Sequence, residues 1–191
     1  FLERIAKIIG QTPTHYNFDV CDKKALNNLF ANENISGVIH FAAFKAVGDS
    51  VNNPLSYYRN NVDGLLSLLE SMEANKIKNI VFSSSCSVYG DAKEQPVNEN
   101  TPTEKAQSPY AHTKQIGEDI LNAATVANSQ LKVIALRYFN PTGAHASAII
   151  GEAPLGVPSN LIPFLTQTAA GIRKQLTIYG HDYDTPDGTC I

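Results

Sequence analysis

The amino-acid sequence predicts an α/β fold, with a Rossmann-like doubly wound parallel sheet followed by part of a smaller region. A short apolar run occupies 37–43, and 79–85 also contains the Ile-Val-Phe core typical of strands buried in a parallel sheet. Long amphipathic segments separate these runs. The chain has 191 residues, 43% hydrophobic and 17% charged, as expected for a domain that buries a core. Together these observations indicate βαβ units with helices on both faces of the sheet.

Each element follows from hydrophobic periodicity or from a signal at its end. Residues 2–9 have apolar side chains at helical spacing, and Gly10 is a typical helix end. Asp22 is a typical N-cap for a helix that carries Leu26 and Phe30 on one face. The other predicted elements are strands over 14–20, 37–43, 79–85 and 132–138 and long helices over 54–74 and 110–128. Glycine and proline punctuate the chain after 140, so we divide it into a sheet domain over 1–140 and the start of a second region over 141–191.

Composition excludes several classes of function. Fifteen Lys and Arg against 18 Asp and Glu give a net charge of −3, so there is no basic excess for nucleic acid or an anionic membrane. No apolar run approaches the ~18 residues that span a bilayer. Three cysteines without a C-x-x-C pair favour reduced thiols and a cytoplasmic location. The five histidines lack metal-ligand spacing, so we expect no metal site.

Polar residues follow three of the predicted strands. Lys45 comes after the run that ends at 43, Ser85 ends the next strand, and Asn140 follows the strand that ends at 138. The carboxyl ends of parallel strands meet at one edge of the sheet, which is where ligands bind in such folds. The sequence therefore predicts a ligand site at that edge.

Tyr110 and Lys114 are the sharpest candidates for chemistry. Their i,i+4 spacing places both side chains on one face of the predicted helix. A free phenol titrates near pH ~10, and a nearby ammonium lowers its pKa. Tyr110 can then accept a hydroxyl proton while Ser85 holds the reacting oxygen. Y-x-x-x-K alone is a weak signal that surface pairs also produce, but the serine-rich strand end one element upstream favours catalysis. Glu118 and Asp119, further along this helix, are predicted to form a solvated face.

Longer strings extend this pattern over nearly the whole chain. They are HFAAFKAVGDSVNNPLSYYRNNV from His40, VFSSSCSVYGD from Val81, SPYAHTK from Ser108, RYFNPTGAH from Arg137, GVPSNLIPF from Gly156 and LTIYGHDYDTPDGT from Leu176. With them the chain resembles the extended short-chain dehydrogenase/reductase family, and within it most closely the UDP-glucose 4-epimerase group. The resemblance implies NAD as the cofactor and a UDP-hexose as the substrate.

The resemblance also implies roles for individual residues. The implied catalytic residues are Ser85, Tyr110 and Lys114, with Tyr110 as the acid/base. The implied cofactor-binding residues are Asp19, Val20, Phe41, Ala42, Ala43, Phe44, Lys45, Asn60, Ser85, Tyr110, Lys114 and Phe139. The implied substrate-binding residues are Ser85, Tyr110, Asn140, Asn160, Leu161, Thr177, Ile178 and Tyr179. The implied reaction interconverts UDP-glucose and UDP-galactose in galactose metabolism, by reversible hydride transfer at sugar C4 through a 4-keto intermediate.

Other functions stay open beside this one. A nucleotide-sugar dehydratase of the same family carries an acidic pair after the catalytic hydroxyl residue, where this chain has Cys86 and Ser87. A non-catalytic NAD sensor and an inactive truncated product are further alternatives. Acceptance of N-acetylated UDP-hexoses and the presence of a fused mutarotase domain are not determined by these residues.

The resemblance finally implies features outside the 191 residues. The glycine-rich pyrophosphate loop of the family would precede Phe1, and an arginine-containing stretch that binds the uridine diphosphate would follow Ile191. We therefore expect a fragment that lacks activity by itself. The family also implies a homodimer that forms through the helices over 54–74 and 110–128.

Overall fold

The computed structural model describes residues 1–152, 154, 156–178 and 180–189. Its helices are α1 (Leu2–Ile9), α2 (Lys23–Asn32), α3 (Val47–Asn52), α4 (Pro54–Tyr58), α5 (Gly64–Ala74), α6 (Pro109–Ala127) and α7 (Leu161–Ala169), with a π-helical segment at Arg59–Asp63 and a 3₁₀ helix at Cys86–Tyr89. Its strands are β1 (Val38–His40), β2 (Asn79–Ser85) and β3 (Lys132–Tyr138). The chain forms two compact units, His15–Phe139 and Phe1–Thr14 with Asn140–Ile191.

The first unit, His15–Phe139, contains a parallel sheet in the order β1-β2-β3. Val38 pairs with Ile80 in β2, and Ser85 at the end of β2 pairs with Tyr138 at the end of β3. All three strands therefore end at the same edge, as the sequence predicts. The α/β, Rossmann-like architecture is confirmed.

The core lies between the sheet and α2, α5 and α6. Its buried members are Leu26, Phe30, Leu65, Leu68, Met72, Ile77, Ile80, Phe82 and Leu121. Gly117 lets α6 approach the sheet, since a Cβ there would lie 2.7 Å from Cζ of Phe82. The short distance fixes α6, and with it the start of that helix, against β2.

The opposite face of the sheet is exposed in the described part of the chain. Ile39 is 66% exposed and Ile134 is 58% exposed, and both point to this face together with Leu136. The expectation that helices cover both faces is therefore wrong for the described residues. The strands carry apolar residues on both faces. Periodicity shows that a strand can be buried on both faces, but it does not show which helix covers each face.

The strand predicted over 14–20 is also wrong. Residues 12–18 make no backbone–backbone hydrogen bond to any described residue. Phe18 and Val20 instead pack against the core from an irregular segment. The apolar residues are there because they pack on the core. A strand also needs a neighbouring strand with which to form backbone hydrogen bonds, and the apolar pattern does not show whether one is present.

Smaller differences concern element boundaries. The strand predicted over 37–43 ends at His40, and the residues after it form a loop. The helix predicted over 54–74 contains the π-helical segment in its middle. Helix α3 was not predicted. The predictions for 2–9, 79–85, 132–138 and, within one residue at each end, 110–128 are confirmed.

The second unit contains α1 and α7. The guanidinium of Arg173 lies 4.7 Å from the ring centre of Phe164 in α7, and its Nε donates to Gln167 Oε1 at 2.7 Å. These contacts hold the segment after α7 against that helix. Within the described ranges, no helix combines the length and apolar character needed to span a membrane.

Candidate active site

Ser85 lies at the end of β2 and is buried. Its Oγ accepts a hydrogen bond from the backbone N–H of Ser87 at 3.2 Å and from the Ser87 hydroxyl at 2.9 Å, which caps the 3₁₀ helix. Because both bonds use oxygen lone pairs, the hydroxyl proton of Ser85 stays available to another acceptor. Ser85 is therefore oriented as a hydrogen-bond donor.

Tyr110 lies in the first turn of α6. Ser108 caps this helix by accepting a bond from the N–H of Ala111 at 3.1 Å, and Pro109 occupies the first helical position. Burial raises the pKa of the Tyr110 phenol, and the nearby Ser85 side chain opposes this shift. The phenol and the Ser85 hydroxyl are thus brought together from two different elements.

Lys114 lies one turn beyond Tyr110 and is only 5% exposed. Its Nζ donates to the carbonyl oxygen of Ser83 at 2.6 Å and lies 5.8 Å from the ring centre of Tyr110. Burial lowers its pKa to about 8. We expected the ammonium to lower the pKa of the phenol, but burial is the larger influence on Tyr110 in this chain.

A buried amide organises the loop after β1. Asn61 accepts a bond from the N–H of Phe44 at 2.8 Å and donates to its carbonyl oxygen at 3.0 Å. The same amide donates to Thr113 Oγ1 in α6 at 3.0 Å. Asn61 therefore ties this loop to the helix that carries Lys114. Its neighbour Asn60, which the family resemblance implies as a cofactor-binding residue, donates from Nδ2 to Asn61 Oδ1 at 2.9 Å. Only burial distinguishes the two asparagines.

Exposed aromatic rings surround the carboxyl ends of the strands. Phe41 is 62% exposed and packs against Tyr138, with ring centres 6.0 Å apart. Phe139 is 61% exposed and stacks on Tyr89 at 6.5 Å. Ala42 and Lys45, which follow Phe41 in the chain, are exposed, and Ala43 is half-buried. The edge of the sheet thus presents flat apolar surfaces next to the polar groups described above.

Glu118 and His40 are both largely buried, and the prediction of a solvated helix face is wrong for Glu118. Glu118 is not on a solvated helix face, because it forms a largely buried ion pair with Arg137 at 2.7 Å. His40 is a buried core residue that stacks on Phe82, and burial lowers its pKa to about 4. No group of three or more His, Cys, Asp and Glu side chains could hold a metal ion in the part of the chain that is described.

The remaining predicted site residues lie in several places. Asp19 is exposed and accepts a bond from the N–H of Cys21 at 2.8 Å, and Val20 packs beside Gly64. In the second unit, Asn160 precedes α7 and donates to Glu152 Oε1 at 3.2 Å. Asn140, Leu161, Thr177 and Ile178 are exposed there. Tyr179 lies outside the described residues.

The chain is similar in sequence to curated UDP-glucose 4-epimerases. The chain is 50% identical over 190 residues to a UDP-glucose 4-epimerase of Yersinia pestis and 45% identical to that of Homo sapiens, covering 100% of this chain in both cases. It covers 56% and 55% of those two proteins, so the chain spans about half the length of the curated relatives it matches.

Solved structures agree with the sequence comparison. The UDP-glucose 4-epimerase of Bifidobacterium longum, in complex with NAD+ and UDP, superposes with a TM-score of 0.95 at 47% identity, over 98% of this chain and 56% of that chain. The profile of the NAD dependent epimerase/dehydratase family matches residues 2–189. A match over almost the whole chain shows that the chain belongs to the NAD dependent epimerase/dehydratase family.

Proposed function

We propose that the full-length protein interconverts UDP-glucose and UDP-galactose as an NAD-dependent epimerase that acts at sugar C4. The observation that carries this proposal is the arrangement of Ser85, Tyr110 and Lys114. A hydroxyl with a free proton, a half-buried phenol and a buried ammonium meet at the carboxyl end of a parallel sheet. These groups suit proton transfer to and from an alcohol.

The residues at this edge fit an NAD molecule. Exposed rings of Phe41 and Phe139 offer apolar surface to a flat ring, and Ala42 permits close approach to the backbone. We propose that these residues bind NAD together with Asp19, Val20, Ala43, Phe44, Lys45, Asn60, Ser85, Tyr110 and Lys114. Bound NAD supplies the acceptor, and later the donor, of the hydride at sugar C4.

The protein's own groups control the proton. Tyr110 accepts the proton of the sugar 4-hydroxyl and returns it after the 4-keto sugar has turned over. Ser85 donates its free proton to the same sugar oxygen, which holds that oxygen beside the phenol. Lys114, fixed by Ser83, keeps a positive charge beside the ring of Tyr110 and supports its ionised form.

The substrate assignment extends into the second unit. We propose that Asn140, Asn160, Leu161, Thr177, Ile178 and Tyr179 contact the UDP-sugar together with Ser85 and Tyr110. We also propose that residues 1–140 bind NAD and that the UDP-sugar-binding region starts at 141.

A nucleotide-sugar dehydratase is the nearest competing function. Elimination of water needs an acid and a base beside sugar C5 and C6, and the residues after Ser85 are Cys86 and Ser87. Burial raises the pKa of the Cys86 thiol, so it is a poor acid or base near neutral pH. This favours epimerisation over elimination.

The decisive experiment is an assay of the full-length protein on UDP-galactose and UDP-glucose without added NADH. We expect each sugar to be converted into the other, with no ketosugar released. A 4-keto-6-deoxy product would instead support the dehydratase. Parallel reactions with the N-acetylated UDP-hexoses define the substrate range.

We also propose a homodimer that forms through 54–74 and 110–128, in the cytoplasm. Leu66 in α5 and Val126 in α6 are exposed apolar residues on these helices, and Cys21 and Cys86 are free thiols that suit a reducing compartment. Sedimentation of the full-length protein should give the dimer mass, and Leu66→Glu should shift it toward the monomer. A monomeric wild-type protein would contradict the proposal.

A further inference from the structure

A largely buried carboxylate connects the two longer strands to α6. The carboxylate of Glu118 accepts bonds from Arg137 Nε at 3.0 and 3.2 Å and from Arg137 Nη2 at 2.7 Å. The Ser84 hydroxyl donates to the same carboxylate. Ser84 and Arg137 are register partners in β2 and β3. One carboxylate therefore collects hydrogen bonds from adjacent strands and holds both against the helix.

This carboxylate lies close to both parts of the candidate catalytic group. Ser84 directly precedes Ser85, so a bond to the Ser84 hydroxyl restrains the end of β2. Glu118 lies one turn beyond Lys114 on the same face of α6. Displacing Glu118 would thus move β2 and α6 relative to one another, and these elements carry the hydroxyl and the phenol.

Arg137 extends the connection to the end of β3. Its guanidinium lies 4.9 Å from the ring centre of Tyr89, and that ring stacks on Phe139. Hydrogen bonding to Glu118 raises the pKa of Arg137 further, so the guanidinium is a permanent charge in the pair. A planar guanidinium with a bidentate partner fixes direction as well as distance.

We propose that Glu118 and Arg137 form a positioning pair, which sets the distance between the Ser85 hydroxyl on β2 and the Tyr110 phenol on α6 without touching substrate or cofactor. This inference rests on the function proposed above for Ser85 and Tyr110. A buried ion pair is weak evidence for stability, because desolvation offsets its attraction. The hydrogen bonds that join α6 to both β2 and β3 are better explained by a need to keep these elements at a fixed separation than by a gain in stability.

The pair has a measurable consequence for Tyr110. Its phenol lies near Lys114 on α6, Cys86 on the 3₁₀ helix, Tyr57 on α4 and the Ser85 side chain at the end of β2. The Ser85 hydroxyl lowers the pKa of the phenol, whereas Cys86 raises it by a smaller amount. Loosening β2 from α6 moves Ser85 and the adjoining Cys86 away from the phenol together. Because the Ser85 influence is the larger of the two, the pKa of Tyr110 should rise.

The test uses the full-length, NAD-bound protein and three forms of the pair: Glu118→Gln, Arg137→Met and the double variant. Ultraviolet difference titration against the same protein with Tyr110→Phe reports the ionisation of Tyr110. Glu70→Gln, which removes the exposed Lys23–Glu70 ion pair, is the matched control. Thermal unfolding separates stability from positioning, because the double variant leaves no unpaired buried charge.

We expect the double variant to unfold at a higher temperature than either single variant, yet to keep a raised Tyr110 pKa. Its kcat should be reduced on the order of 10- to 100-fold, with a much smaller change in KM. Recovery of the wild-type titration and kcat together with thermal stability would overturn the inference, as would an unchanged titration in every folded variant. The titration needs no turnover, so an inactive wild-type protein would contradict the epimerase proposal without deciding this one.

Discussion

Lys114 holds an ammonium group inside the protein, and this has a cost that depends on pH. Burial lowers its pKa from 10.5 to about 8. Below about pH 8 the lysine is protonated in both the folded and the unfolded protein, so the folded protein carries the whole free-energy cost of burying the charge. Between about pH 8 and 10.5 the folded protein gives up the proton first, and the penalty falls as pH rises. The shift corresponds to on the order of 3 kcal/mol at neutral pH.

Replacing this residue should reveal that cost. We expect the free energy of unfolding of Lys114→Met, relative to wild type, to be most favourable near pH 7 and to become less favourable as pH rises from 8 toward 10.5. Denaturant unfolding of the full-length proteins at several pH values measures the difference. A difference that stays constant over this range would contradict the assignment of a depressed lysine pKa.

The roles of single residues were predictable only in part. Ser85, Tyr110 and Lys114 were named from their spacing and lie together, although their catalytic roles remain predictions. Asn61 was missed, because an amide that bonds both backbone groups of Phe44 looks the same in sequence as an exposed neighbour.

At the scale of elements, the close packing of α6 on the sheet positions the site. Gly117 has no room for a side chain, since its Cβ would lie 2.7 Å from Phe82 and 3.4 Å from Leu65 Cδ2. Gly48 in α3 has nothing within 4 Å of the corresponding position. Close packing therefore requires glycine at position 117, whereas there is space for a larger side chain at position 48.

Alanine at these two positions should act in opposite directions. Gly117→Ala should destabilise the protein by about 1–3 kcal/mol through overpacking. Gly48→Ala should stabilise α3 by about 0.5–1 kcal/mol, because alanine loses less backbone entropy in a helix. Chemical denaturation of the full-length variants tests both. Equal effects at the two positions would show that α6 does not pack as described.

Elements were predictable where their pattern is local. Apolar periodicity identified β2, β3 and α1 with their ends, since each contains the residues that define it. It failed over 14–20, where the apolar residues pack on the core without a neighbouring strand. It also missed α3, a short helix without a long apolar face.

At the scale of the whole molecule, one apolar face of the sheet is exposed in the part of the chain that the structure describes. Ile39 on β1 and Ile134 on β3 are both exposed, and they lie on either side of Val81, their register partner in β2. Exposed apolar surface of this kind promotes association. We expect the isolated chain to bind a hydrophobic dye and to self-associate.

Threonine substitutions test this expectation, because threonine keeps strand propensity while reducing apolar surface. The double variant Ile39→Thr, Ile134→Thr should bind less dye and sediment as a smaller species than the unmodified chain. Ile80→Thr on the buried face is the matched control and should instead lower thermal stability. Dye binding that is insensitive to the exposed pair would contradict the description of this face.

The most direct test of the whole account is the turnover of Tyr110→Phe in the full-length protein. This change removes one phenolic oxygen and leaves the ring in place, and Tyr16→Phe at an exposed position is the control. If Tyr110 transfers the proton, kcat for UDP-galactose should fall by about 10²–10⁴-fold, while bound NAD and the control variant's turnover stay close to wild type. Turnover of Tyr110→Phe within a few-fold of wild type would contradict the account.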